Sequence, residues 1–196
     1  MTHLDEEAPI LEPINDTQQR ILDATIDCVK TWGVEKTSLN DIAKRAGVTR
    51  PTVYNYYGNR TAVIRAALLS SGHHFAERVI AHIQAWPTPA DRLVEAVVFA
   101  LEELPKEPYL AVITRADLSS YIYEDALSDS EGVEMCLAIF NTVFDGTTLS
   151  EQDRIEVMEL SVRLALSLLM LSGPATHEGD DLRGFLRRRL VPAAGL

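Results

Sequence analysis

One stretch of the chain decides the fold: Thr37-Ser-Leu-Asn-Asp-Ile-Ala-Lys-Arg-Ala-Gly-Val-Thr-Arg-Pro-Thr-Val-Tyr-Asn-Tyr-Tyr57. Ser38, with Asp41 three residues later, resembles the capping box that begins a helix. Gly47 breaks this helix after about two turns. Thr49 supplies a hydroxyl that can cap a second short helix, and Pro51 lies in its first turn, where a missing N–H removes no hydrogen bond. The stretch therefore predicts two short helices joined by a tight turn.

A longer helix is predicted before this stretch. Apolar side chains recur on one face between Asp16 and Trp32, and Gly33 follows at the expected helix end. This face contains Ile21, Leu22, Thr25, Val29 and Trp32. Three helices, the last two separated by a glycine-containing turn, form the helix-turn-helix arrangement, whose second short helix can enter the major groove of DNA.

The order, spacing and type of these residues resemble the TetR family of bacterial transcriptional regulators over residues 17–65. The resemblance rests on Arg20-Ile-Leu-Asp-Ala24, Gly33, the stretch from Thr37 to Tyr57, and Asn59-Arg60. Tyr57 stands where the family usually has Phe, and Arg60 and Thr61 stand where it commonly has Lys and Glu. The resemblance implies an all-α fold, in which an N-terminal three-helix helix-turn-helix DNA-binding domain precedes a C-terminal helical bundle for ligand binding and dimerisation.

The resemblance also assigns DNA contacts by position to the second short helix and its start: Thr49, Arg50, Pro51, Thr52, Tyr54, Asn55 and Tyr56. Ser38 and Arg60 occupy positions that contact the DNA backbone. Side-chain chemistry agrees with these assignments. The Arg50 guanidinium can donate two hydrogen bonds to O6 and N7 of guanine, and the Asn55 amide can recognise adenine or bind a phosphate. We also expect Ser38 and the free N–H groups at the start of its helix to form a small anion site.

Charge is distributed unevenly along the chain, whose formal net charge is −11. Residues 1–13 carry four acidic side chains and no basic ones, residues 14–70 carry eight basic against five acidic, and residues 71–196 carry ten basic against twenty acidic. A basic segment beside an acidic remainder indicates that the basic end of the chain binds a polyanion. We therefore expect a flexible acidic tail over 1–13, a helix-turn-helix DNA-binding domain over 14–62, and a ligand-binding and dimerisation domain over 63–196.

The remainder predicts longer helices and no strand. Apolar periodicity and Pro or Gly boundaries place them at about 60–85, 90–104, 109–127, 131–144, 150–172 and 181–190. The helix after Ser150 carries a wide apolar stripe, so a subunit interface is expected there, with core packing as the alternative for about half of the stripe. The interface candidates are Met158, Val162, Leu166, Leu169 and Met170. A two-fold dimer would bind an inverted repeat.

The resemblance further implies a small-molecule effector inside the C-terminal bundle. Candidate lining residues are aromatic and aliphatic: Phe75, Trp86, Phe99, Tyr109, Ile113, Tyr121, Tyr123, Phe140 and Phe144. Asn141 and Arg163 are added as polar residues within apolar helices. Arg163 has two interpretations, contact with an anionic effector or an ion pair with a neighbouring acid. Because aromatic residues at helical spacing also form ordinary cores, only part of this set is expected to touch the ligand, which we expect to be mainly apolar.

Other kinds of site find little support in the sequence. His73 and Glu77 share a helical face without an evident third ligand, and Cys28 and Cys136 suggest no disulfide framework, so no metal or cofactor is expected. Neither a phosphate-binding loop nor a nucleophile motif indicates an enzyme. With no signal peptide or membrane span evident, the sequence predicts a cytoplasmic, ligand-responsive repressor that binds an operator as a homodimer. The alternatives are an activator, an enzyme that uses the cavity, and a ligand carrier.

Overall fold

The computed structural model describes residues 15–107, 130–171, 173 and 178–196, and these residues are all-α, with no β-strand among them. The helices are α1 (Asp16–Trp32), α2 (Leu39–Ala46), α3 (Arg50–Tyr57), α4 (Arg60–Ile83), α5 (Pro89–Glu103), α6 (Ser130–Val143), α7 (Glu151–Met170) and α8 (Gly179–Ala193). A short 3-10 helix, Leu104–Lys106, follows α5. The predicted acidic tail and the predicted helix at 109–127 lie outside the described residues. No described helix combines the length and the apolar character that spanning a membrane requires.

The chain divides into two compact units, and the division lies between Ala67 and Leu68, within α4. The first unit contains α1, α2 and α3. Its core is formed by Ile21, Ala24, Cys28, Ile42, Ala43, Ala46, Val53 and Val63. Trp32 is 44% exposed at the last position of α1, so its predicted place on the buried face is wrong.

The two short helices begin and end at the residues that the sequence predicted. Ser38 caps α2 in a capping box with Asp41, and Thr49 Oγ1 accepts a hydrogen bond from the backbone N–H of Thr52 at the start of α3. Gly47 ends α2 with φ of 68°, a left-handed conformation that glycine adopts without strain. Local side-chain chemistry thus fixes the turn between α2 and α3.

The second unit is built around α5, since α6, α7 and α8 all contact this helix. Residues 93–98 of α5 are buried consecutively, as expected for a helix covered on every side. Fully buried side chains of this unit include Ile83, Leu93, Phe144, Leu186 and Leu190. Ser150 caps α7, as predicted, by accepting a hydrogen bond from the N–H of Asp153.

Candidate nucleic-acid interface and apolar cavity

Helix α3 turns one face to the core and the opposite face to solvent. Val53 is fully buried and anchors the helix to α1 and α2. The exposed face carries Arg50, Pro51, Tyr54, Asn55 and Tyr56, all of them predicted DNA contacts. Tyr54 and Tyr56 are exposed by 59% and 41%, respectively, so packing within the unit uses little of these large rings. The face therefore presents polar and aromatic groups that are free to meet a partner.

The Arg50 guanidinium makes no hydrogen bond or ion pair with any described residue, and it lies at the first position of α3. Thr49 and Thr52 differ from Arg50, because their hydroxyl oxygens lie 2.8 Å apart and share a hydrogen bond. Thr49 Oγ1 also caps the helix, as described above. Arg50 is thus free for a ligand, whereas both threonine hydroxyls help to begin α3.

Tyr56 on this face and Lys44 beside it contribute further polar groups. The Tyr56 hydroxyl accepts a hydrogen bond from Asn15 Nδ2 at 3.4 Å, which leaves its own proton available to a phosphate oxygen. Lys44 of α2 is exposed and has no ion-pair partner among residues 15–107, whereas the neighbouring Arg45 pairs with Asp27 at 3.1 Å. Sequence reasoning did not single out Lys44, although the excess of basic residues in this segment was the available signal.

Ser38 does not offer the free anion site that the sequence predicted. Its hydroxyl donates to Asp41 Oδ2 at 2.5 Å, its backbone N–H donates to the same oxygen at 3.2 Å, and its Oγ accepts from the N–H of Asp41 at 3.3 Å. Both donors are therefore occupied, and a carboxylate lies where a phosphate would have to approach. Ser38 therefore begins α2, and its contact with DNA stays a prediction.

Arg60 is also committed within the unit. Its Nε donates to the carbonyl of Thr37 at 2.6 Å, and its Nη2 donates to the carbonyl of Val34, so the guanidinium binds the loop before α2. The predicted contact of Arg60 with a phosphate stays a prediction, and the structure assigns its Nε and Nη2 to the protein backbone. Arg20 plays the same part at the other end of α2, where Nη2 donates to the carbonyl of Ala46 at 2.6 Å. Two arginines thus hold α2 by its flanking backbone, a role that the sequence did not reveal.

The second unit contains an apolar cavity of about 210 Å³ between α4, α5, α6 and α7. Its lining residues are Gly72, Phe75, Ala76, Val79, Ala96, Val97, Ala100, Leu104, Met135, Cys136, Ile139, Phe140, Ser161, Val162, Ala165, Leu166 and Leu169. The hydroxyl of Ser161 donates to the carbonyl of Val157 at 2.7 Å. Burial raises the pKa of the Cys136 thiol, which keeps this lining group neutral as well. The described wall therefore offers no charge to a ligand.

The predicted pocket residues separate into four groups. Phe75 and Phe140 line the cavity. Phe99 packs on Phe75 with ring centroids 6.1 Å apart. Phe144 is fully buried in the core and Trp86 is half-buried outside the lining. Tyr109, Ile113, Tyr121 and Tyr123 lie outside the described residues.

The two polar pocket candidates do not face the cavity. Asn141 is exposed on α6. Arg163 is exposed on α7, and its Nε donates to Glu159 Oε1 at 2.8 Å, one turn away. The ion-pair interpretation of Arg163 therefore describes its contact, and the placement of both residues in the lining was wrong because each falls on the solvent side of its helix.

The predicted interface stripe of α7 is divided by the structure. Met158 is buried in the core of its own unit, which corrects its expected place on a subunit surface. Val162, Leu166 and Leu169 line the cavity. Met170 is 42% exposed, and Leu160, which sequence reasoning left out, is 43% exposed. The helical period of the sequence could not show which of these side chains face the core, the cavity or solvent, because apolar residues occur around most of α7.

An ion pair with a buried carboxylate in the second unit was missed by sequence reasoning. Glu95 is 1% exposed, and its carboxylate receives hydrogen bonds from Arg183 Nε at 2.7 Å and Nη2 at 2.9 Å. This contact raises the pKa of Arg183, so the guanidinium stays charged. His82 Nε2 lies 3.6 Å from the same carboxylate. The available signal was a single acid within the apolar run of residues 93–98.

The histidines and cysteines form no cluster in the described ranges. His74, rather than His73, lies beside Glu77, with Nδ1 3.5 Å from the carboxylate. No group of three His, Cys, Asp or Glu side chains suited to a metal ion occurs there. Cys28 and Cys136 are both free thiols.

Comparison with known proteins places the first unit in a family. The sequence model of the bacterial regulatory proteins of the tetR family matches residues 21–67. An HTH-type transcriptional regulator of Mycobacterium tuberculosis, itself uncharacterised, is 32% identical over 118 residues, which are 60% of this chain and 60% of that protein. This chain therefore spans about three fifths of the length of the curated relatives that match first.

Solved structures share the fold. One of them is the TetR family repressor AlkX from Dietzia sp., which is implicated in biodegradation of n-alkanes. It aligns with a TM-score of 0.64 at 17% sequence identity, and the alignment covers 91% of this chain and 96% of the AlkX chain. Another is the transcriptional regulator FadR from Bacillus subtilis in complex with stearoyl-CoA. It aligns with a TM-score of 0.55 at 16% sequence identity, and the alignment covers 90% of this chain and 93% of the FadR chain. The family match over residues 21–67 includes the whole of α2 and α3. The helix-turn-helix domain of this chain therefore matches the TetR family of bacterial regulatory proteins.

Proposed function

We propose that the protein is a cytoplasmic, ligand-responsive transcriptional repressor that binds an inverted-repeat operator as a homodimer and is released by a small, mainly apolar effector. One observation carries the DNA-binding part: α3 exposes Arg50, Tyr54 and Asn55, and packing within the unit does not require their polar groups. An unpaired guanidinium at the start of a recognition helix suits the O6 and N7 acceptors of guanine in the major groove. The repressor role is also supported by the similar fold of AlkX, which is described as a repressor.

Selection on random DNA duplexes tests the proposal as a whole. Purified protein is taken through several rounds at a stated salt concentration, and the bound duplexes are sequenced. A two-fold dimer with one recognition helix per subunit is expected to enrich an inverted repeat whose half-sites are separated by about one turn of DNA or a multiple of it. If protein dialysed free of small molecules still enriches no sequence, the regulator proposal is wrong.

The proposed dimer uses the exposed side of α7. Leu160 and Met170 are both more than two-fifths exposed there, and apolar side chains of this size gain free energy when a second copy covers them. Leu160→Glu is expected to give monomers in sedimentation velocity, and Ala81→Glu, on the exposed side of α4, serves as the matched control. A Leu160→Glu protein that still sediments as a dimer would place the interface elsewhere.

The proposed effector occupies the apolar cavity. A carboxylate buried against its described lining would lose hydration without gaining a counter-charge, which costs several kcal/mol, so any charged end of a ligand stays outside. Two proteins of similar fold are associated with long aliphatic chains, which supports an apolar ligand. AlkX is implicated in biodegradation of n-alkanes, and FadR was solved in complex with stearoyl-CoA.

The half-buried Cys136 thiol lines the cavity and provides a direct test of occupancy, because Cys28 is fully buried in the other unit. N-Ethylmaleimide is added at mildly alkaline pH, since burial raises the pKa of the Cys136 thiol. Decanol is expected to slow alkylation of Cys136 and to release the selected DNA, with Cys136→Ser as the unlabelled control. Protection without release would retain the binding site but contradict its regulatory role.

A further inference from the structure

Gly72 occupies an unusual position for glycine, in the interior of α4 and against the cavity. Glycine is among the least favourable residues inside a helix, and alanine is the most favourable. The backbone at Gly72 has no positive φ, so the conformation itself does not require glycine. A steric reason must therefore be sought in what lies beside it.

The neighbour of Gly72 is the end of the Met135 side chain, from α6. A Cβ placed on Gly72 would lie 2.9 Å from Met135 Sδ, closer than such atoms approach in folded proteins, and 3.0 Å from its Cε, a tight contact. The thioether thus fills the space that a side chain at position 72 would take. Because methionine is unbranched and flexible, its end can move when that space is altered.

Both residues line the cavity, so a change in the space between them changes the room for a ligand. We infer that Gly72 and Met135 together set the size of the apolar ligand that the cavity accepts, an inference that rests on the proposed effector function. With glycine at position 72, the thioether lies against α4 and leaves the cavity open. A methyl group there displaces the thioether and shortens the space available to an aliphatic chain.

The test measures how binding depends on ligand length. Straight-chain primary alcohols of increasing length displace the uncharged fluorescent probe N-phenyl-1-naphthylamine from the full-length protein. Gly72→Ala is expected to weaken binding of the longest alcohol that the native protein accepts by roughly tenfold or more, as overpacking of a filled site does, and to change the short alcohols little. Met135→Ala is expected to extend the series to longer alcohols, and the double variant is expected to recover the length limit lost in Gly72→Ala.

A matched control is available in α8. A Cβ at Gly184 would also lie close to the end of a flexible side chain, 2.9 Å from Arg188 Nη1, but neither residue lines the cavity. Gly184→Ala is therefore expected to leave the length series unchanged. Thermal unfolding by circular dichroism should show Gly72→Ala folded well above the temperature of the binding assay, because alanine favours the helix and the Met135 side chain can move, so weaker binding cannot be attributed to unfolding.

The outcomes separate this inference from the proposed function. If the native protein binds neither the probe nor any alcohol, the effector cavity is wrong and the inference falls with it. If the native protein binds the series but Gly72→Ala and Met135→Ala keep its length limit, the effector cavity stands and the size-setting pair is wrong. A length limit that is shorter in Gly72→Ala and longer in Met135→Ala supports the inference that the two residues set the ligand size.

Discussion

The exposed face of α3 and the cavity of the second unit are both formed by helices, yet they differ in their polar groups. On α3 the guanidinium of Arg50 and the amide of Asn55 face solvent. In the cavity wall the only described side-chain hydroxyl, that of Ser161, is bonded to its own helix. Unpaired charge at a surface suits a hydrated polyanion, whereas a wall without charge suits an apolar ligand. The two regions thus present surfaces of opposite chemistry.

A second difference concerns arginines that are not free. In the first unit Arg20 and Arg60 bind backbone carbonyls, and in the second Arg183 binds a buried carboxylate. Only Arg50 among these four has no partner in the described part of the chain, so arginine supports the fold at three of these positions and faces solvent at the fourth. Substitution of a supporting arginine should therefore change stability, whereas substitution of Arg50 should change DNA binding.

The largest expected effect is on the buried pair. Arg183→Met leaves the buried Glu95 carboxylate with only His82 beside it and should lower the free energy of unfolding by about 3 kcal/mol in urea titrations. Arg163→Ala removes an exposed pair with Glu159 and should cost less than about 1 kcal/mol. Adding Glu95→Leu to Arg183→Met should recover most of the loss. Equal costs for Arg183→Met and Arg163→Ala would show that Glu95 is not an expensive buried charge.

The next effect should be that of Arg60→Ala. Loss of charge-assisted hydrogen bonds to the carbonyls of Thr37 and Val34 should destabilise the first unit by about 2 kcal/mol. In a Trp86→Phe background, Trp32 is the remaining tryptophan, so its fluorescence reports unfolding of this unit. A free guanidinium on DNA would instead leave stability unchanged and reduce the salt dependence of DNA binding, which would contradict the contacts described here.

Ser38→Ala should have a smaller effect of the same kind. Removing the N-cap of α2 typically costs about 1 kcal/mol of stability. Because the Ser38 donors are occupied by Asp41, the salt dependence of DNA affinity should stay that of the native protein. A reduced salt slope in Ser38→Ala, measured by fluorescence anisotropy on the selected duplex, would restore the phosphate contact that the sequence suggested.

The smallest effect at neutral pH should come from Tyr57→Phe, because the hydroxyl makes only one long bond, 3.4 Å, to the carbonyl of Gln18. The difference should appear at alkaline pH. Burial, with a smaller contribution from Tyr56, raises the pKa of Tyr57 from 10 to about 12. The unfolded chain therefore loses this proton first, and stability should fall as pH rises from 10 towards 12. Tyr57→Phe should show a shallower alkaline loss in urea titrations at several pH values, and identical slopes would contradict this burial.

The helix-turn-helix could be predicted from sequence because its determinants are local. Ser38, Gly47 and Thr49 act within three or four residues of their own positions, and the structure places caps and turn where those residues indicate. The exposure of Arg50 followed from the same helical spacing. Arg20 and Arg60 were less accessible to sequence reasoning, since each binds backbone more than twenty positions away in the chain.

The cavity was predicted less well because its wall comes from four helices whose relative rotation no single segment encodes. Phe75 and Phe140 were identified as lining, but Asn141 and Arg163 were assigned inward from their polarity alone, although both are exposed. Small residues such as Gly72 and Ala165 create the space, and a search for aromatic side chains could not find them. The direction of Leu160 depends likewise on how α7 packs on α5.

The most direct test of base reading by α3 compares native protein and Arg50→Ala on the selected duplex and on a set of single base-pair substitutions, at several salt concentrations. Arg50→Ala is expected to cost about 1–3 kcal/mol on the native site and to abolish discrimination at one base pair of each half-site. Discrimination elsewhere should persist. A loss of the same size on every duplex, with a smaller salt slope, would show that Arg50 holds only phosphate and would contradict base recognition by this residue.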